Sequence, residues 1–242
     1  MNESYCDITI VLDKSGSMGH LRTDTIGGLN TFLSEQQKKE GDEVLLTVIQ
    51  FSNTSETTIN KQRIETVEPF GPEDYIPGGG TALLDAVGDA INKAGARFRA
   101  MREAQRPAKV LFVIITDGEE NSSTRYTLDR IKRMITEQQD TYKWQFVFLG
   151  ANQDSFQSAH SFGIYTWNTS NYNNTSLGVA NMYASLASNV TSYRTDSAEK
   201  VQCRSFFQQD VPDVDNSKRT DISSGGALAN GTTGTSGTFT NS

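Results

Sequence analysis

Short apolar runs alternate along the chain with segments of helical spacing. Residues 8–12 (ITIVL) read as a buried strand that stops at Asp13. The same pattern returns at Glu43–Phe51 (EVLLTVIQF), Lys109–Thr116 (KVLFVIIT) and Lys143–Leu149 (KWQFVFL). Between these runs apolar residues recur every three or four positions. Ile26, Leu29 and Leu33 do so within 19–40, and Leu84, Val87 and Ile91 after a glycine-rich turn. Leu128, Ile131 and Ile135 predict the inward face of a helix that starts at an N-cap, Thr127, and runs to about residue 139. Val179, Met182, Leu186 and Val190 predict a last helix over 177–193. Residues 54–67 are polar and Thr-rich, which suits an exposed antiparallel strand or hairpin at a sheet edge. A short helix over 154–162 and a short strand near 164–167 complete the pattern. Strands alternating with helices predict an α/β fold, a largely parallel sheet with helices on both faces.

The pattern decays after residue 194, which sets three expected parts: a domain over 1–194, a partly ordered extension over 195–220, and a tail over 221–242. The tail is Gly, Ser, Thr and Asn with almost no large apolar side chains. Such a composition buries too little surface to offset its ordering entropy and predicts a flexible tether.

Composition narrows the function classes. A formal charge of −7 and a pI near 4.9 argue against non-specific binding to nucleic acid or anionic membrane. No apolar stretch approaches the roughly 20 residues of a membrane span. The first residues, MNESYCD, carry neither the basic nor the apolar part of a secretory signal. Two cysteines, Cys6 and Cys203, are too few for a disulfide framework. Together these features predict a cytoplasmic protein with free thiols.

The candidate chemistry sits where strands end. The first strand runs into Asp13, Ser15 and Ser17, three oxygen-bearing side chains at alternating positions. Two more exits are oxygen-rich: Gly78-Gly79-Gly80-Thr81 and Thr116-Asp117-Gly118. Ligands bind at the carboxyl edge of open α/β sheets. If the strands are neighbours, Asp13, Ser15, Ser17, Thr81 and Asp117 surround one point there. Carboxylates and hydroxyls are hard donors, suited to Mg²⁺ or Mn²⁺, with water completing six-coordination.

In this order and context, DKSGSM, GGGT and VIITDGEEN resemble the metal-ion-dependent adhesion site of a von Willebrand factor type A domain, over about residues 4–193. The resemblance implies a doubly wound, Rossmann-like sheet with one antiparallel edge strand. It implies that Ser15 and Ser17 ligate directly and Thr81 does so in the ligand-engaged state. Asp13 and Asp117 would act wholly or partly through water. Mg²⁺ is the expected ion, with Mn²⁺ or Ca²⁺ as alternatives. The implied partner is a protein with an exposed Asp or Glu. The short loops look more like bacterial and phage members than integrin or matrix ones. The family also implies other settings: an assembly component of a phage or secretion-type complex, or a partner of an AAA+ ATPase or stress-resistance system.

Plainer readings compete at each position. An isolated D-x-S-x-S is more often a helix cap, and Gly78–Gly80 a flexible turn. Glu119 and Glu120 read as solvated loop residues beside the rim, and Lys14 as outward-pointing. His20 and His160 read as a loop and a helix residue, and Tyr5, Trp144 and Trp167 as core or sheet-edge residues. Catalysis is not expected. No His–Asp pair is evident to activate a serine. A phosphatase built on Asp13 would need a second Asp where Ser15 stands, and no phosphate-binding G-x-x-x-x-G-K-[ST] loop occurs.

Overall fold

The computed structural model describes residues 1–151, 155–202 and 205–207. Asp154, Cys203, most of the expected extension and the whole expected tail lie outside them. The strands are β1 (Asn2–Asp13), β2 (Glu43–Phe51), β3 (Ser55–Arg63), β4 (Pro107–Thr116), β5 (Gln145–Gly150) and β6 (Thr169–Asn171). They form one sheet in the order β3-β2-β1-β4-β5-β6, parallel except for β3 at the edge.

The apolar runs of the central strands are continuous because both faces are covered. Alternate residues go to opposite sides. Ile8, Ile10 and Leu12 of β1 join Leu111, Val113 and Ile115 of β4 in one core. Phe112 and Ile114 of β4 join Phe146 and Phe148 of β5 in the other. Helices α1 (Arg22–Gln37) and α5 (Ser176–Thr195) close the first core through Leu29, Phe32, Val179 and Leu186. Helices α2 (Leu83–Ala100), α3 (Leu128–Tyr142) and α4 (Ser155–Ser161) close the second through Val87, Ile91, Ile131 and Ile135. Helices α1 and α5 approach so closely that a β-carbon at Gly28 would lie 2.0 Å from the Tyr183 ring.

Four expectations need correcting. The segment expected to be helical from residue 19 instead begins as a 3-10 turn over Gly16–Leu21, with α1 starting only at Arg22. This turn keeps the serine loop tight against the strand end. Leu128, expected inward, is 40% exposed. It is the first residue after the Thr127 cap, and helical spacing does not reveal how far a first turn overhangs its sheet. The strand expected near 164–167 is a 3-10 turn over Thr166–Asn168. Ile164 is buried, but its N–H donates to Ala159 O (2.9 Å) behind α4. The real strand, β6, is the polar tripeptide that follows, and apolar patterning cannot see it. Trp167 is 45% exposed, stacked on Tyr165 with ring centroids 4.6 Å apart. By contrast, Thr127 caps α3 by accepting from Arg130 N–H, and Trp144 and Tyr5 are buried. The described part of the extension forms α6 (Ala198–Gln202), beyond which Phe206 and Phe207 enter the first core.

Candidate metal centre

The chain leaves β1 toward β2 on one side, while β4 leads to β5 on the other. The crevice between β1 and β4 is therefore the switch point of the sheet, the place where such folds bind ligands. Register puts Leu12 opposite Ile115, so Asp13 and the pair Thr116–Asp117 leave the sheet side by side.

Asp13 is fully buried and held by neutral donors. Ser15 N–H donates to its Oδ1 (2.6 Å) and the Thr116 hydroxyl to its Oδ2 (2.6 Å). Its own carbonyl accepts from the buried Tyr75 hydroxyl (2.5 Å). Burial pushes the Asp13 carboxyl above its ordinary value. The donors Thr116 and Ser15 hold it back, and the like charge of Asp117 adds to the rise. Ser15 Oγ lies 3.0 Å from Ser17 Oγ, which donates to Asp117 Oδ1 (2.6 Å).

The glycine loop brings in Thr81. Gly16 N–H donates to Gly79 O (3.0 Å), and Gly78 N–H to Lys14 O (2.8 Å), so the first and second loops share backbone hydrogen bonds. Gly79 has a left-handed φ of 83°. A β-carbon on Gly80 would sit 2.2 Å from Ser122 Oγ and 2.7 Å from Asn53 Oδ1, so any larger residue would displace these side chains. Thr81 and Asn121 bond reciprocally, Thr81 N–H to Asn121 Oδ1 (2.9 Å) and Asn121 N–H to Thr81 O (3.1 Å).

Gly118 shows how closely the side chains converge. A β-carbon placed there would lie 3.1 Å from Thr81 Oγ1, 3.5 Å from Ser17 Oγ and 3.7 Å from Asp13 Oδ2. Oxygens from the exit of β1 and from the glycine loop thus face one small space, beside Asp117 of the third loop. All five residues expected at the site are brought together. Asp13, Ser15, Thr81 and Asp117 are buried, and Ser17 is exposed at the mouth. Three hydroxyls and two carboxylates form a hard-donor cradle that fits a divalent cation. Among the described residues no group of three or more His, Cys, Asp or Glu could hold a metal, so this cradle differs in kind from an acidic cage.

Glu120 is an organiser rather than a solvated rim residue. Its carboxylate accepts from Leu84 N–H (2.8 Å) in the first turn of α2, and from Ser122 N–H (2.9 Å) and Ser123 N–H (2.7 Å) in its own loop. Asp85 mirrors it, accepting from the N–H groups of Thr124 (3.1 Å), Arg125 (2.9 Å) and Tyr126 (3.0 Å). Burial works against the Asp85 carboxylate, but these three N–H groups hold its pKa below the ordinary value. His20 bridges Ser17 O (2.8 Å) and Asn174 Oδ1 (2.9 Å), and Lys14 pairs with Glu56 on β3. Sequence reading missed the positioning roles of Thr116, Tyr75, Asn121 and Glu120. Only Thr116 carried a local signal, as a hydroxyl directly before Asp117 at a strand end.

The model of the von Willebrand factor type A domain matches residues 7–185. A comparison with curated proteins returns no match. Among solved structures, proximal thread matrix protein 1 of the mussel byssus, described with a zinc-occupied MIDAS motif, is similar at 14% identity and a TM-score of 0.56. That alignment covers 78% of this chain and 48% of the byssus protein, so the chain spans about half of that protein's length. The pilus adhesin SpaC of Lactobacillus rhamnosus GG is similar at 15% identity and a TM-score of 0.58, covering 78% of this chain and 30% of the adhesin. Manganese-loaded TRAP protein of Plasmodium vivax is similar at 16% identity and a TM-score of 0.50, covering 76% and 74% respectively. At these identities the likeness is one of fold. Among the described residues no helix is long and apolar enough to cross a membrane.

Proposed function

The chain belongs to the von Willebrand factor type A domain family, and from that premise we propose that it is a metal-ion-dependent interaction module that captures an acidic side chain of a partner protein. The observation carrying this reading is the cradle around Gly118, where Thr81, Ser17 and Asp13 oxygens lie within 3.7 Å of one point. Ser15, Ser17 and Thr81 would hold a divalent cation, Mg²⁺ first, through their hydroxyls, with Asp13 and Asp117 supplying the negative charge. Such an ion, when bound, supplies an electrophilic position at which a carboxylate exchanges for water.

The residues set how that position behaves. Two carboxylates only just balance a divalent charge, and both here share their oxygens with hydroxyl or N–H donors, which weakens that balance. An approaching Asp or Glu is therefore attracted, whereas four acidic ligands would repel it. Thr116 and the Ser15 N–H fix the Asp13 carboxylate, and the Thr81–Asn121 pair fixes the hydroxyl opposite. We read the role as binding without catalysis, in a cytoplasmic setting that the buried free thiol of Cys6 fits. The metal-loaded byssus and Plasmodium domains support the choice of a divalent ion.

Partner capture from lysate is expected to fail in chelator, to return with Mg²⁺, and to fail in Asp13→Ala under both conditions. Equal capture in every arm would sink the metal-docking reading. The thread matrix protein and the pilus adhesin favour a second reading, in which the domain is a scaffold in an assembly. Deleting residues 221–242 separates the two, because loss of assembly with Mg²⁺ binding intact supports the scaffold.

A further inference from the structure

A second candidate site lies on the α2 side of the sheet, away from its carboxyl edge. There the β2–β3 ladder shifts register, with Leu46 opposite Gln62 but Val48 opposite Ile59. Asn60 and Lys61 consequently bulge from β3 opposite Thr47, whose hydroxyl accepts from Lys61 N–H (3.3 Å). Lys61 has a left-handed φ of 52°. A residue with a β-carbon is held there at a penalty, and bulges characteristically re-aim a side chain.

The bulge rims a hollow of about 210 Å³. Its floor carries the buried hydroxyl side chains of Thr9 and Thr47, in register on adjacent strands. Helix α2 faces it with Ala90 and Ala94, which leave the space open, and with Lys93 and Arg97. Among the described residues no carboxylate lines it. The Arg97 charge is committed to Asp7 through two hydrogen bonds (2.6 and 2.8 Å). Among the described residues, the ammonium groups of Lys61 and Lys93 have no such partner. Two lysines without a carboxylate partner thus line a threonine floor.

We propose that this hollow binds a small phosphate-type oxyanion. Lys61 and Lys93 supply the charge, and the threonine hydroxyls with the Asn60 amide supply neutral donors. The volume lies below the roughly 300–1,000 Å³ of pockets for drug-sized ligands, which selects inorganic phosphate or a small phosphate ester over a nucleotide.

The test is a titration of the full chain with potassium phosphate, followed by backbone amide NMR. Chelator throughout removes any divalent cation from the strand-exit site, and potassium chloride at matched ionic strength is the reference. Saturable shifts are expected at Thr9, Thr47, Asn60, Lys61 and the 93–97 turn of α2. Lys61→Gly relieves the left-handed backbone, so this variant is expected to fold at least as stably while binding phosphate about tenfold more weakly or worse. Lys93→Gln is expected to weaken binding similarly without touching the bulge. Shifts that fail to saturate, that chloride reproduces, or that persist when Lys61→Gly and Lys93→Gln are combined would overturn the proposal.

Discussion

The two ends of β1 treat their fully buried carboxylates in opposite ways. At the amino end Asp7 and nearby Asp42 each meet a guanidinium. Asp7, fully buried, takes both nitrogens of Arg97 and also accepts from Tyr5. Asp42 takes Nε and one terminal nitrogen of Arg194 (2.9 and 2.8 Å), while the other terminal nitrogen reaches Gln36. At the carboxyl end Asp13 is equally buried but held by a hydroxyl and an N–H. The pKa directions follow. Burial works against Asp42, yet Arg194 outweighs it and the carboxyl is lowered, whereas at Asp13 burial wins and the carboxyl is raised. One end is closed by charges within the chain, and at the other the proposed cation would supply the missing charge.

The sharpest way to break this contrast is at the closed end. Arg194→Met removes the guanidinium from Asp42, leaving it only the longer Lys39 contact (3.4 Å), and strips Gln36 Oε1 of its donor, and is expected to cost about 3–5 kcal/mol in denaturant unfolding. The same variant reads the sign of the pH dependence. The folded pKa of Asp42 lies below its ordinary value of 3.8, so its contribution is present above that pH and is lost as pH falls through the folded value. With Arg194 gone, only Lys39 (3.4 Å) opposes burial at the carboxyl, and the stability lost as pH falls is expected to shrink.

At the open end the corresponding gain is expected from the proposed ion. Mg²⁺ at a hundred times its dissociation constant is expected to add about 2.7 kcal/mol to stability, read as a rise in Tm. Asp13→Ala is expected to lose that rise. Chelator is expected to leave the Tm of Asp13→Ala unchanged while lowering that of the Mg²⁺-loaded parent. The smallest effect is expected from Tyr75→Phe, which removes one hydrogen bond to the Asp13 carbonyl and is expected to cost about 1 kcal/mol in denaturant unfolding.

The central strands and the five donor residues were legible because their signals are local. A parallel strand covered on both faces is a continuous apolar run, and D-x-S-x-S lies within five consecutive residues. What was not legible depends on contacts far apart in the chain. Tyr75 supports Asp13 from 62 positions away, and Glu120 reaches back 36 positions to Leu84. Glu120 looked like a solvated acid because nothing in its neighbourhood marks three N–H groups aimed at it. The polar strand β6 and the outward Leu128 were misplaced for a related reason. Periodicity reports which residues share a face, not where the neighbouring element begins or ends.

The bonds between the start of α2 and the loop after β4 have a mechanical consequence. Thr81 with Asn121, Leu84 with Glu120, and Asp85 with the N–H groups of residues 124–126 stitch two segments from different strands into a single clasp. Thr81 rides on that clasp, and Asp117 is joined to it across Gly118. The serine loop is fastened to β1 and meets the clasp through Gly16–Gly79, Gly78–Lys14 and Ser17–Asp117. The cradle is therefore a vice with two jaws, and its gap is set by these three contacts.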